Sequence, residues 1–188
     1  KLLPEYKKRE EKSSNYYDGI KILYKEIEQV HEQYVQLQIN NVEADDLIGT
    51  LASYYSLLDY VVIVASDDKD MLQTINQNTF IVHSKKGIID AFKFKEMYSF
   101  LPIHFVDYLA ILGDKIDNIP GVKGIGEIGA QELVHNFNTI EQMYQNIDKV
   151  PAKYCAKLKS AQQEAFLSKQ MILLKTINIP TSKLIEPK

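Results

Sequence analysis

Cysteine is nearly absent. Cys155 is the only one in 188 residues, which excludes an internal disulfide framework and leaves it to read as a small buried hydrophobe in a helix. No apolar run approaches the length of a membrane-spanning helix, and the opening residues do not read as a signal peptide. A soluble, cytoplasmic protein is the expectation. Low-complexity tracts and internal repeats are also missing. His31, His83, His104 and His135 lack metal-ligand spacing and read as ordinary surface or core histidines. No Ser–His or Cys–His arrangement suggests a covalent nucleophile. Arginine is reduced to Arg9 against many lysines, a bias from which no mechanism follows.

What is present suits one globular domain. A chain of 188 residues with 45% hydrophobic content can bury a substantial core. The pattern predicts a helix at about 16–34, with Ile20, Leu23, Tyr24, Ile27 and Val30 on one stripe. A strand at 35–39 (VQLQI), a helix at 43–58, a strand at 60–65 (YVVIVA) and a short helix at 69–75 follow. Such repeating strand–helix units favour parallel pairing. A strand at 79–83, a turn at 85–87 and a strand at 88–92 complete an α/β part over 1–92. From 93 to 188 the pattern is helical, with helices expected near 94–100, 103–112, 126–136, 139–146, 151–159 and 162–175.

Acidic clusters stand at the junctions of these elements. EADD (43–46) opens a helix, SDDKD (66–70) follows the 60–65 strand, and GDKIDN (113–118) precedes a glycine-framed turn. Ligands gather beyond the carboxyl ends of strands in open α/β sheets, so the first two clusters are expected at one edge. Asp68 and Asp70 alternate by two and share a face on extended backbone. Glu43 and Asp46 share a helix face, with Asp45 about a third of a turn away. Each cluster alone has an ordinary explanation: EADD as a helical first turn, GDKIDN as an Asp/Asn turn closed by Pro120. If Glu43, Asp45, Asp68, Asp70, Asp114 and Asp117 converge, their repulsion calls for cations, and Mg²⁺ or Mn²⁺ suits oxygen ligands. The turn at 121–126 (GVKGIG) aims backbone N–H groups and a helix N-terminus at an anion. A metal site beside such a turn points to phosphodiester chemistry.

The ordered set EADD, SDDKD and GDKIDNIPGVKGIG, with LPEYKK near the start, closely resembles the 5′-nuclease domain of bacterial DNA polymerase I. The same domain occurs in free-standing 5′–3′ exonucleases and flap endonucleases. The resemblance runs from Leu3 to the INIP stretch at 177–180. It implies an α/β, PIN-like mixed sheet with flanking helices and a helical helix–hairpin–helix region. It implies that Glu43 and Asp45 are ligands of one metal and that Asp68, Asp70 and Asp117 are ligands of a second, with Asp68 near both. Asp46 and Asp114 would act as outer acids that hold waters or orient ligands. Tyr6 and Lys7 resemble a pair at the base of a helical arch, where Lys7 approaches the scissile phosphate. Gly121, Lys123, Gly124 and Gly126 fall in the hairpin that grips duplex backbone, a turn that in this family often holds K⁺. The implied reaction is two-metal hydrolysis of DNA at a 5′ end or flap, in replication and repair, selective for structure over sequence. A monomer is expected, with a polymerase domain C-terminal in the parent protein as one arrangement.

Departures from the family pattern accompany the match. The chain begins at Lys1 within the arch-proximal motif, so the family's first strand and two of its aspartates are expected upstream, leaving one metal site incomplete, the fragment weak or inactive, and an apolar groove or strand edge exposed. Glu10 stands where the family has arginine, Ile116 where a small polar residue is usual, and Asp67 where a small residue is usual. Gly129 replaces a hydroxyl residue in the helix after the hairpin, which weakens the K⁺ expectation. Two other readings remain open at this point: a noncatalytic DNA-binding piece, and a PIN-like nuclease acting on RNA. A net charge of −3 is unusual for a DNA binder. Bound cations would offset the acids, and the bases are clumped at Lys7, Lys8, Arg9 and Lys12, at Lys115 and Lys123, and at Lys153, Lys157 and Lys159. The last group reads equally well as a solvated helix face or as DNA contact.

Overall fold

The computed structural model describes residues 13–29, 36–180 and 184. Helix α1 (Ser14–Gln29) leads the chain. Leu23, on the expected apolar stripe, is exposed there, as is Ile22, so the described part of that stripe meets no core. Residues 36–39 form no strand. The alternation of VQLQI suggested one, but a strand exists only through its ladder, and the described residues of this run do not join the sheet.

Helix α2 (Ala44–Leu57) starts from Glu43 as N-cap and buries Asp46, Leu47 and Ala52. It packs on β1 (Val62–Ala65) and on the 3-10 helix Lys69–Thr74. Strand β1 pairs in parallel with β2 (Thr79–His83), and β2 pairs antiparallel with β3 (Gly87–Ile89). The sheet is therefore mixed, with order β1-β2-β3 among the described residues. The antiparallel pair arises because only a short turn separates β2 from β3, too little for a crossover. Val64, Ile81 and Ile89 share the buried face, whereas Ile63, Val82 and Ile88 line the exposed one.

Helix α3 (Ala91–Tyr98) is capped by Asp90, whose side chain accepts from Lys93 N–H. It leads to α4 (Phe105–Leu112), buried continuously from Phe105 to Ile111. A helix apolar on nearly all sides must sit at the centre of its layer. Around α4 pack α5 (Glu127–Phe137), α6 (Ile140–Gln145) and α8 (Gln162–Ile172), and α7 (Ala152–Ser160) packs on α8. Phe94, Tyr98, Phe100, Phe105 and Tyr108 form one aromatic cluster with edge-on and tilted contacts. Cys155 is half-buried in α7, as expected of a helix position, with its thiol 3.7 Å from the Ile147 carbonyl. No described helix is long and apolar enough to cross a membrane.

One charge interrupts the α4 core. Asp107 is 3% exposed, and its Oδ1 accepts from Ile140 N–H at 2.9 Å and from Lys169 Nζ at 2.6 Å. Lys169 also reaches Glu141 Oε2 at 2.8 Å. A single carboxylate thus caps α6 and ties α4 to α8. Removing one partner of a buried pair strands the other charge, which costs about 3–5 kcal/mol. Asp107→Ala is therefore expected to lower unfolding free energy by that order in urea titrations, and Glu141→Ala, at the exposed end, by less than about 1 kcal/mol.

Candidate metal centre and phosphate-binding turn

The acids after β1 are organised by a cap. Asp68 is the N-cap of the 3-10 helix, its Oδ1 accepting from Asp70 N–H at 2.9 Å, and its own N–H donates to Ser66 Oγ at 3.0 Å. Asp68 and Asp70 come together through this turn, not on the extended backbone that their spacing suggested. The extra acid, Asp67, turns the other way. It accepts from the Ser84 N–H at 2.7 Å and the Ser84 hydroxyl at 2.6 Å, and these bonds hold its pKa below the usual carboxylate value. Its role is to fasten the β2–β3 turn.

The third cluster is a closed loop. Asp114 and Ile119 exchange backbone hydrogen bonds at 2.9 and 2.7 Å. Asp114 Oδ1 accepts from Ile116 N–H, and Oδ2 lies 2.7 Å from Lys69 Nζ. Burial alone would raise the Asp114 pKa, but the Lys69 ammonium and the Ile116 N–H outweigh it and hold it low. The Lys69 contact joins the SDDKD and GDKIDN clusters. Both Asp114 and Asp117 are buried. Asp70 feels the consequence: burial first, then the charges of Asp68, Asp114 and Asp117, against Lys69, push its pKa up to about 6.

Glu43 and Asp45 lie outside the set of charges that dominate at Asp70. With no strand at 36–39, EADD opens α2 without a described strand end behind it. Asp46 is buried and spends Oδ1 on the backbone N–H of Lys175, at 2.8 Å. Its place is a clamp on the chain that follows α8. Tyr6 and Lys7 lie outside the described residues. Among the described residues no three acids already stand close enough to hold one ion; Asp68 caps its own helix and Asp114 is held on Lys69. The donor chemistry nevertheless fits a hard divalent cation: oxygen ligands only, with a surplus of negative charge centred on Asp70.

The same loop launches the turn. Gly113 (φ +77°) and Gly121 (φ +60°) cross backbone on backbone, so that a Cβ on Gly121 would lie 2.5 Å from Gly113 N and one on Gly113 2.7 Å from the Ile119 carbonyl oxygen. Gly121 N–H donates to the buried Ser168 hydroxyl at 3.1 Å. That N–H is occupied, so Gly121 closes the loop and does not face a phosphate. Val122 and Ile125 are buried anchors, leaving Lys123 and Gly124 at an exposed tip. Gly126 is the N-cap of α5, and nothing lies within 4 Å of where its Cβ would stand. Open space before a helix N-terminus admits close approach of an anion.

Residues 1–184 match known families. Residues 1–99 match the family described as 5′-3′ exonuclease, N-terminal resolvase-like domain, and residues 100–184 match 5′-3′ exonuclease, C-terminal SAM fold. The chain belongs to the 5′–3′ exonuclease family. Among relatives, a 5′-3′ exonuclease of Buchnera aphidicola subsp. Schizaphis graminum is 37% identical over 188 residues, 95% of this chain and 64% of that protein. DNA polymerase I of Pseudomonas aeruginosa is 40% identical over 149 residues, 74% of this chain and 16% of that protein. The chain thus spans under two thirds of the length of these relatives. Its fold is similar to a structure of T5 5′-exonuclease with divalent metal ions (zinc) bound, with TM-score 0.75, 22% identity, and coverage of 91% of this chain and 68% of that one. The expected α/β, PIN-like sheet with a helical second part is the observed architecture.

Lys69 and Ser168, which bind the site together, were not singled out from sequence. Lys69 hid inside an acidic run, and Ser168 lies 47 residues from its partner, beyond any local signal.

Two outcomes test the site. A carboxyl whose folded pKa is raised from 3.8 to about 6 stabilises the fold fully below pH 4 and loses that contribution as pH rises through 6. In metal-free buffer the wild-type chain should therefore melt higher at pH 5 than at pH 7, and Asp70→Asn should flatten most of the difference. Gly121→Ala should cost more than about 2 kcal/mol, since it adds a backbone clash to a left-handed conformation. Gly126→Ala should change stability by less than about 1 kcal/mol. Thermal melts of both variants separate the structural glycine from the open one.

Proposed function

We propose that this chain is the nuclease unit of a structure-specific 5′–3′ exonuclease or flap endonuclease that hydrolyses DNA with Mg²⁺ or Mn²⁺. The observation that supports it best is the physical continuity of acids and hairpin. One closed loop, 113–121, carries Asp114 and Asp117 at one end and passes directly into the exposed Lys123–Gly126 turn at the other. Family membership supplies the reaction class, and the metal ions described for the T5 5′-exonuclease structures agree with it.

In this reading Asp68, Asp70 and Asp117 hold one divalent ion, Glu43 and Asp45 another, and Asp114 and Asp46 orient their surroundings. Bound there, such ions lower the pKa of a water and stabilise charge on the phosphate oxygens. The protein's own residues do the rest. Asp70 must give up the proton it holds below pH 6 before it can serve as a ligand, so metal affinity falls in acid. Lys69 keeps Asp114 ionised and holds the two acidic loops at one distance. Lys123, Gly124 and Gly126 present charge and N–H groups to the duplex backbone without touching base edges, so recognition is of shape. Lys7, outside the described residues, is assigned the approach to the scissile phosphate by the family resemblance alone. The chain acts as a monomer over 1–188, its α/β part (1–92) carrying two acidic clusters and its helical part (93–188) carrying the third cluster and the hairpin.

Asp68→Ala should lower Mn²⁺-dependent cleavage of a 5′-flap duplex by at least about 100-fold while duplex affinity stays within about threefold, since ligand loss falls on the transition state. Cleavage by the variant at the wild-type rate under limiting metal would sink the assignment. Binding without cutting by wild type would favour a noncatalytic DNA-binding piece.

A further inference from the structure

The family expectation of a monovalent cation at the hairpin meets an obstacle. The helix that follows the turn carries Gly129 where a hydroxyl residue would offer a ligand. A Cβ at Gly129 would stand 3.0 Å from Tyr154 Cε1 and 3.1 Å from Tyr154 Oη. The space is thus filled by an aromatic side chain from α7. Tyr154 Oη is oriented by its own partner, donating to Glu132 Oε2 at 2.8 Å, a carboxylate shared with Lys153 Nζ at 2.8 Å.

A protein cation sits at the turn instead. Lys157 Nζ donates to the Gly124 carbonyl at 2.7 Å, and its side chain lies along Gly124, Cε 3.4 Å from where a Cβ would be. Gly124 has φ +86°, a conformation that turns its carbonyl toward α7 and that glycine alone adopts freely. Tyr154 and Lys157 are three apart on α7 and share one face, so a single helix face fills the Gly129 site and delivers the ammonium. An ammonium carries three donors. One serves Gly124, and the residue is exposed, which leaves donors for a phosphate oxygen on the side where Lys123 and the Gly126 cap also face solvent.

We propose that Lys157 is the built-in cation of this hairpin: its ammonium fixes the Gly124 carbonyl and bonds a duplex phosphate, so the turn grips DNA without a bound monovalent ion. The proposal rests on the DNA-binding reading above. It makes Lys157 a positioning and phosphate-contacting residue in place of one more charge on a solvated face.

The test is duplex affinity of the whole chain for a 5′-flap DNA, measured by fluorescence anisotropy in Ca²⁺, in chloride salts of K⁺, Na⁺ and tetramethylammonium at equal ionic strength. Tetramethylammonium is too large to sit among backbone carbonyls. Wild type is expected to bind equally in all three. Lys157→Met should weaken binding about tenfold at low salt and reduce the salt slope by about 1. Lys157→Arg should restore most of the loss, and the charge-matched control Lys149→Met, at an exposed lysine bonded to Asn146, should change little. Wild-type binding that collapses in tetramethylammonium and returns with K⁺ overturns the proposal, as does a Lys157→Met variant indistinguishable from Lys149→Met. Either result leaves the nuclease reading standing, whereas absence of duplex binding in every salt overturns both. If Lys157→Met fails to fold, the wild-type cation series and Lys157→Arg still decide.

Discussion

The contact between Gly113 and Gly121 is the constraint on which the site depends. Two stretches of backbone touch where any side chain would force them apart. That contact makes the intervening loop short and closed. Its exit is secured by Val122 N–H on the Ile111 carbonyl at 2.7 Å and by Ser168 from α8. Because α4 is buried on nearly all sides, the loop inherits a fixed origin from a well-packed helix. Acids and hairpin therefore keep their spacing through the loop itself.

Electrostatics works against that packing. Asp70 is partly buried within range of the charges of Asp68, Asp114 and Asp117, which repel its own, and Lys69 offsets only part of this. A fold that keeps such a conflict gives up stability for something else, and functional sites are where such exchanges concentrate. The Asp107–Lys169–Glu141 group shows the contrast. There charges of opposite sign are matched across three helices, and the result is a fastening.

Much of this was legible in sequence because it is local. The helices from α2 to α8 follow apolar periodicity, and β1 and β2 follow compact β-branched runs. The Gly-framed turn announces itself by composition. The strand expected at 35–39 failed because pairing is not a property of the segment itself. Asp68 and Asp70 were rightly grouped but for the wrong geometry, since spacing alone does not separate an extended pair from a capped turn. Gly121 and Gly126 look alike in sequence, yet one is filled by backbone and the other faces open space. Asp46 reads as one more acid of EADD until Lys175, 129 residues away, is seen on it.

That last bond has a consequence for how the chain comes to be folded. Asp46, Thr50 and Gln73 all complete their hydrogen bonds on the segment after α8, through the N–H groups of Lys175, Ile177 and Leu174. Contacts of such separation close late, because the loop entropy must be met before the contact repays it. During synthesis the first half emerges with a polar helix face whose partners have not yet been made. The nascent α/β part therefore waits for these three partners until the segment after α8 has left the ribosome, which couples the two motifs in folding.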